Sequence, residues 1–193
     1  MKVAALLGSP RPNGNSAAIA GRLMETVKVL GAETETIALN KLVFRGCQAC
    51  MACKTKLDHC ALEDDLSGVL ETIRDTDVLV LATPVYFGDI TAQMKMFIDR
   101  TYSYYVPDFL TKAVPGRLPL GKKLVFIQVQ AQPSEQMFND IYPKYELFFQ
   151  FLGFKNNRLI RACGLNDAKD HEKRDDIMNL AEETARQIMA EFE

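Results

Sequence analysis

Three stretches of this 193-residue chain place reactive residue types at spacings that suit chemistry. The densest is Cys47-x2-Cys50-x2-Cys53-x6-Cys60. Two-residue gaps let one loop turn three thiolates toward a common centre, and a fourth can return from a short distance, as in iron–sulfur ligation. The ferredoxin pattern has a shorter last gap and a following proline, and neither is present here. His59 beside Cys60 also allows zinc, although zinc usually takes two separated pairs. The same cysteines can equally remain free or redox-active thiols, and spacing alone leaves the three readings open. Cys163, at the end of the last strand candidate, reads as a small buried residue. His171 opens a charged stretch and reads as solvated.

The second stretch is Gly8-Ser9-Pro10-Arg11-Pro12-Asn13-Gly14-Asn15-Ser16, which follows an apolar run and opens a helical pattern. Gly8 and Gly14 permit tight turns, the hydroxyl and amide side chains offer donors, and a helix N-terminus behind them favours an anion. Arg11 adds a fixed cation suited to a phosphate. The loop is not a Walker A motif, because Asn15 stands where the lysine would be, and it is not G-x-G-x-x-G. A terminal monophosphate fits better than a triphosphate or a pyrophosphate. The plainer alternative is that these residues only turn the chain and cap the helix.

The third stretch is Ala82-Thr83-Pro84-Val85-Tyr86-Phe87-Gly88-Asp89. A flat ring such as isoalloxazine would stack on Tyr86 or Phe87 and meet the backbone groups of 84–88 at its polar edge. Gly88 permits close approach or an unusual φ. The alternative is that both rings belong to the core.

These loops need elements to hold them. Strand candidates are Val3–Leu7, Glu33–Leu39, Val78–Ala82, Leu124–Val129 and Arg158–Ala162, alternating with helix candidates Ser16–Val29, Asp65–Arg74, Thr91–Tyr102, Glu135–Phe151 and Glu172–Phe192. That alternation predicts an α/β, three-layer doubly wound domain on a five-stranded parallel sheet of flavodoxin-like order 2-1-3-4-5, with its ligand beyond the carboxyl ends of strands 1 and 3. The two loops above leave those two strands. No repeat or linker interrupts the pattern, so residues 1–193 read as one domain with a cysteine-rich loop at about 45–62.

Composition narrows the function. Hydrophobic residues make up 48% and charged residues 25%, as in ordinary globular domains, and the net charge of −2 disfavours nucleic acid. No apolar run reaches the length of a membrane span, and the run after Met1 is too short for a signal peptide, so the expected compartment is the cytoplasm. With two histidines and no hydrolase motif beside them, a Ser/His hydrolase is disfavoured. A CheY-like signalling domain would need an acidic pair where Gly8 and Ser9 stand.

The G-S-P-R-x-N-G-N-S loop, the T-P-x-Y-x-G loop and the K-x-F-x-D-R run ending at Asp99 and Arg100 together resemble the NADPH-dependent FMN reductase group of the flavodoxin-like superfamily. The resemblance implies FMN with its phosphate held by Ser9, Arg11, Asn13, Asn15 and Ser16 and its ring near Pro84, Val85, Tyr86, Phe87 and Gly88. It further implies electrons drawn from NAD(P)H and passed to a quinone, a flavin or another small acceptor, and a homodimer or homotetramer. A third flavin loop is expected at Gln130-Ala131-Gln132-Pro133, where relatives often carry smaller residues and this chain has glutamines. Asp99 and Arg100 could equally form an ordinary surface ion pair. The cysteine pattern resembles that of iron–sulfur flavoproteins of the same superfamily. That resemblance implies a [4Fe–4S] cluster on Cys47, Cys50, Cys53 and Cys60, and a carrier that takes single electrons from a ferredoxin-like partner.

Overall fold

Five strands, β1 (Lys2–Leu7), β2 (Glu33–Ala38), β3 (Val78–Pro84), β4 (Lys123–Gln130) and β5 (Arg158–Cys163), form one parallel sheet of order β2-β1-β3-β4-β5. This is seen in a computed structural model that describes residues 1–192. The order matches the sequence expectation, and four of the five strands gain only one or two residues at their ends. β3 and β4 are buried along almost their whole length, because helices cover both faces of the sheet.

The two faces differ in side-chain size. Val3, Ala5, Val80, Ala82, Ile127 and Ala162 point toward α1 (Asn15–Val29) and α6 (Asp175–Ala190). Leu6, Leu79, Leu81, Leu124 and Phe126 point the other way, toward α3 (Asp65–Asp75), α4 (Ala92–Arg100) and α5 (Ile141–Phe151). Small residues let α1 and α6 lie close to the sheet, while the leucines and phenylalanines fill the wider layer opposite.

Local chemistry sets where the helices begin. Asp64 caps α3 by accepting from Leu66 N–H, with Ser67 completing a capping box. Thr91 caps α4 by accepting from Met94 N–H. α1 starts at Gly14, which supplies no side-chain cap. Three helices are shorter than the sequence predicts, α6 among them, which runs over Asp175–Ala190 where Glu172–Phe192 was expected. α4 ends at Arg100 and tightens into a 3-10 turn over Thr101–Tyr104. α5 begins at Ile141 rather than Glu135, because Phe138 adopts a left-handed φ of 62° and carbonyls of the preceding turns are taken by glutamine side chains. One turn of helix inside the cysteine loop, α2 (Ala52–Thr55), carried no signal in the spacing.

Candidate flavin site and cysteine loop

The loops after β1 and β3 meet at their roots. Gly8 N–H donates to Ala82 O at 2.8 Å, and the Thr91 hydroxyl donates to Gly8 O at 2.7 Å. A Cβ on Gly8 would lie 2.9 Å from Thr91 Oγ1 and 3.0 Å from Met94 Cβ, so only glycine lets α4 approach the end of β1 this closely.

Beyond this junction lies a cleft of about 220 Å³ lined by Ser9, Arg11, Gly14, Asn15, Ser16, Pro84, Val85 and Tyr86, with Val129, Ala131, Leu165, Asn166 and Ala168 closing it. Four of the five expected phosphate residues and three of the five expected ring residues line this one space. Asn13, Phe87 and Gly88 lie outside its walls. At the phosphate end, Arg11 N–H donates to Ser9 Oγ at 3.1 Å, which folds the loop back on itself. The uncapped start of α1 leaves its first-turn N–H groups and positive dipole end for a ligand. These features fit a phosphate.

Asn15 is used differently from the sequence expectation. Its Nδ2 donates to Asp167 O at 2.7 Å, and its Oδ1 accepts from His171 N–H at 3.1 Å and from His171 Nδ1 at 2.9 Å. With the amide oxygen accepting, the imidazole proton sits on Nδ1. The side chain therefore ties the β5–α6 loop to the cleft, and only its backbone N–H is left toward an anion. His171 is accordingly half-buried rather than solvated. Leu165, Asn166 and Ala168, which the same loop contributes, were missed by sequence reasoning. Their one available signal was their place beyond the carboxyl end of β5.

At the ring end, Tyr86 and Asp89 pair through both backbone groups, Tyr86 N–H to Asp89 O at 2.8 Å and Asp89 N–H to Tyr86 O at 3.2 Å. Phe87 and Gly88 between them take φ values of 49° and 87°, so the turn is left-handed at both central positions. Glycine accepts that conformation freely; phenylalanine does not. Phe87 is fully exposed and Tyr86 is 43% exposed, so neither ring belongs to the core. Asp89 holds the turn from below. Its carboxylate accepts from Ile90 N–H at 2.8 Å, the Tyr145 hydroxyl at 3.0 Å and the Lys144 ammonium at 2.8 Å. Burial opposes its charge, but these donors, Lys144 foremost, hold its carboxyl below the usual value.

Of the glutamines in the expected third flavin loop, Gln130 turns away from the cleft, and Gln128 beside it joins in. Gln130 ends β4, fully buried, and its Nε2 donates to the carbonyls of Gln132, Ser134 and Met137 at 3.0–3.2 Å. Its Oε1 accepts from Gln128 Nε2 at 3.1 Å. Both side chains brace the loop from beneath, and the small residue that reaches the cleft is Ala131.

The cysteine loop lies against the far end of α4. Cys47 and Cys50 are exposed, Cys60 is half-buried and Cys53 is buried. Among the described residues no three Cys, His, Asp or Glu side chains converge to metal-binding distance. The loop's backbone turns left-handed at Ala49 and Met51. Three cations lie along this loop. The Lys54 ammonium donates to Tyr102 O at 2.6 Å and Tyr105 O at 2.7 Å, lies 4.1 Å over the Tyr102 ring and interacts with Cys53. Burial lowers its pKa, against the pull of Cys53. Arg117 donates to Cys53 O at 3.0 Å. Arg100, whose side chain is wholly buried, donates from Nε to Cys60 Sγ at 3.0 Å and pairs with Asp64 at 2.8 Å. The surface pair with Asp99 is not formed; Asp99 bonds Lys95 at 2.6 Å instead. Four thiols, one bonded by a guanidinium and another beside an ammonium, form a donor set that suits an anionic cluster in kind, although the sulfurs are not gathered around one centre.

The sheet order, and a ligand cleft where it reverses between β1 and β3, define a flavodoxin-like protein. Residues 1–136 match the family described as NADPH-dependent FMN reductase, and the chain belongs to that family. It is similar to an iron–sulfur flavoprotein of Methanocaldococcus jannaschii, 34% identical over 121 residues that cover 63% of this chain and 62% of that protein. It is also similar to an iron–sulfur flavoprotein of Methanosarcina thermophila, 37% identical over 116 residues and 60% of each chain. The matches thus span about six tenths of the length of these two relatives. Among solved structures, an FMN-dependent NADH-azoreductase of Bacillus anthracis in complex with FMN superposes with a TM-score of 0.76 at 18% identity, covering 98% of this chain and all of that one. That likeness is one of fold. No described helix is long and apolar enough to cross a membrane.

Proposed function

We propose that this chain, as one domain, holds FMN in the cleft between the β1 and β3 loops and passes electrons from NAD(P)H to a quinone, free flavin or other small acceptor. The observation that carries this reading is the pairing, in one cleft, of an uncapped helix start beside Ser9 and Arg11 with Pro84, Val85 and the half-exposed Tyr86 at the foot of the left-handed turn. Ser9, Arg11, Ser16 and the first N–H groups of α1 would hold the phosphate, and Pro84, Val85, Tyr86, Phe87 and Gly88 would border the ring. FMN, when bound, supplies the redox chemistry, accepting two electrons and returning them singly or in pairs. The protein's part is to orient the ring's edge against the backbone of 84–88, to keep its phosphate in place, and to leave one face open. The cleft is smaller than a closed cofactor site, which usually measures about 300–1,000 Å³, so the acceptor or a second subunit of a homodimer or homotetramer would cover that face.

Anaerobic mixing of the FMN-loaded chain with NADPH or NADH, followed by a quinone, a free flavin or an azo dye, tests the reading; no oxidation of either nucleotide with any acceptor would end it. Arg11→Ala separates the phosphate contact from the rest. Losing one charged hydrogen bond of about 1.5 kcal/mol weakens FMN roughly tenfold and leaves riboflavin unaffected. Equal losses for both ligands would remove Arg11 from the phosphate.

A second reading is favoured by the four cysteines on one loop, with Arg100 bonded to the Cys60 sulfur and Lys54 beside Cys53, and by the names of the two archaeal relatives. In it, Cys47, Cys50, Cys53 and Cys60 hold a [4Fe–4S] cluster, and the chain relays single electrons, from a ferredoxin-like donor, to the flavin. Iron and acid-labile sulfide after anaerobic reconstitution decide it. About four of each per chain support the cluster; fewer leave free thiols, or zinc if zinc is found instead.

A further inference from the structure

We infer that Arg100 is the positioning residue of the cysteine loop, fixing the Cys60 sulfur and binding that loop to the helix that leaves the flavin turn. Its side chain makes four hydrogen bonds: Nε to Cys60 Sγ at 3.0 Å, Nη1 to Arg45 O at 2.8 Å and to Asp64 Oδ2 at 2.8 Å, and Nη2 to Leu62 O at 3.2 Å. These acceptors lie on both sides of the cysteines, Arg45 before Cys47 and Leu62 and Asp64 after Cys60. One planar fork therefore closes the loop at its base, a geometry that lysine cannot reproduce. Asp64 is fixed in turn, because it also accepts from Arg45 N–H at 3.2 Å and Leu66 N–H at 3.1 Å.

Arg100 is the last residue of α4, whose cap Thr91 donates to Gly8 O in the other loop of the cleft. A nine-residue helix, about 13 Å long, thus has the flavin junction at one end and Cys60 at the other. The redox consequence rests on the second reading above. If the loop carries an iron–sulfur cluster, the N–H···S bond is one of the contacts that set its potential, and a donor to sulfur stabilises the more negative, reduced form.

The test compares FMN-loaded wild-type chain with Arg100→Lys, which keeps a charge for Asp64 but loses the fork, and with Arg100→Met. In metal-free protein, amide exchange over residues 43–46 and 57–63 is expected to quicken at least tenfold in both variants, with far-UV circular dichroism and FMN binding retained. Unchanged exchange in folded R100K overturns the inference. Where the variants do not fold, nitrogen-15 NMR of wild-type arginine side chains decides. The Arg100 Nε–H is expected to resist exchange and to shift in Cys60→Ser, and an Nε–H that exchanges at the solvent rate overturns the assignment. In iron-loaded protein the midpoint potential of R100K is expected to be more negative, and a wild-type potential there would remove the bond to sulfur. Should the wild-type chain take up no iron, the cluster reading fails by itself, while exchange and NMR still judge Arg100.

Discussion

Phe87 holds a φ of 49° with its ring in solvent, so the fold gains no packing from a residue it holds in a poor conformation. A bulky side chain in the left-handed region costs about 1–2 kcal/mol, and glycine there costs about 0.5–1 kcal/mol in unfolded-chain entropy. Phe87→Gly is therefore expected to raise the stability of the flavin-free protein by about 0.5–1 kcal/mol, as read by thermal melts. The same change is expected to weaken flavin binding by about 0.5–1.5 kcal/mol through the lost aromatic contact. Stabilisation with unaltered flavin affinity would show that the turn serves something other than the ring. At this scale the sequence was only partly legible. That Ser9, Arg11 and Tyr86 share one cleft could be read from their types and their places after two strands. The use of Asn15 could not, because its partners Asp167 and His171 lie more than 150 residues away. Arg100 was readable as part of a motif, but its burial against Asp64 and Cys60 depends on how the cysteine loop folds over α4.

The elements that frame the cleft depend on side chains that sequence patterns describe poorly. The two N–H groups of the Gln130 amide are shared among three carbonyls of the loop that follows it. Gln130→Leu keeps the strand apolar but leaves those carbonyls without their donor, at about 1–3 kcal/mol. Urea unfolding should show that loss, and limited proteolysis should find new cuts between Gln132 and Phe138. An unchanged urea midpoint would mean that water takes over the bonds. The central strand was plain in the sequence, since Val78–Ala82 is a continuous apolar run of the kind a strand covered on both faces carries. The start of α5 was not. Phe138 and Pro143 sit within a stretch of helical periodicity, and the turns before Ile141 are set by Gln128 and Gln130, which act from a strand. Periodicity reports which face of a helix is buried and says little about where a distant side chain stops the helix.

Across the whole molecule, the Arg100–Asp64 pair joins α4 to α3 and fastens the cysteine loop over the larger-residue face of the sheet. Burial works against the charge of Asp64, yet the Arg100 guanidinium and the N–H groups of Arg45 and Leu66 hold its carboxyl below the usual 3.8. A depressed carboxyl stabilises the fold above its unfolded value and loses that contribution as the pH falls through its folded value. Asp64→Asn leaves Arg100 buried without its counter-charge and is expected to cost about 3–5 kcal/mol at pH 7, the low end applying if the amide still accepts. That gap between wild type and variant should narrow below pH 3.8, as seen in urea midpoints measured at pH 7 and pH 3. An equal gap at both values would assign the loss to shape rather than charge. Farther away, Lys122 closes the carboxyl end of α3 through the carbonyls of Ile73, Arg74 and Thr76, and Glu191 fastens α6 to Lys123 and Arg158.

The junction at Gly8 reaches beyond packing. Because Gly8 is bonded both to Ala82 and to Thr91, backbone atoms and one hydroxyl fix the separation between the anion end of the cleft and its aromatic turn. No flexible side chain sets that span. The cleft therefore works as a gauge: a ligand is measured end to end before any of its hydrogen bonds is read.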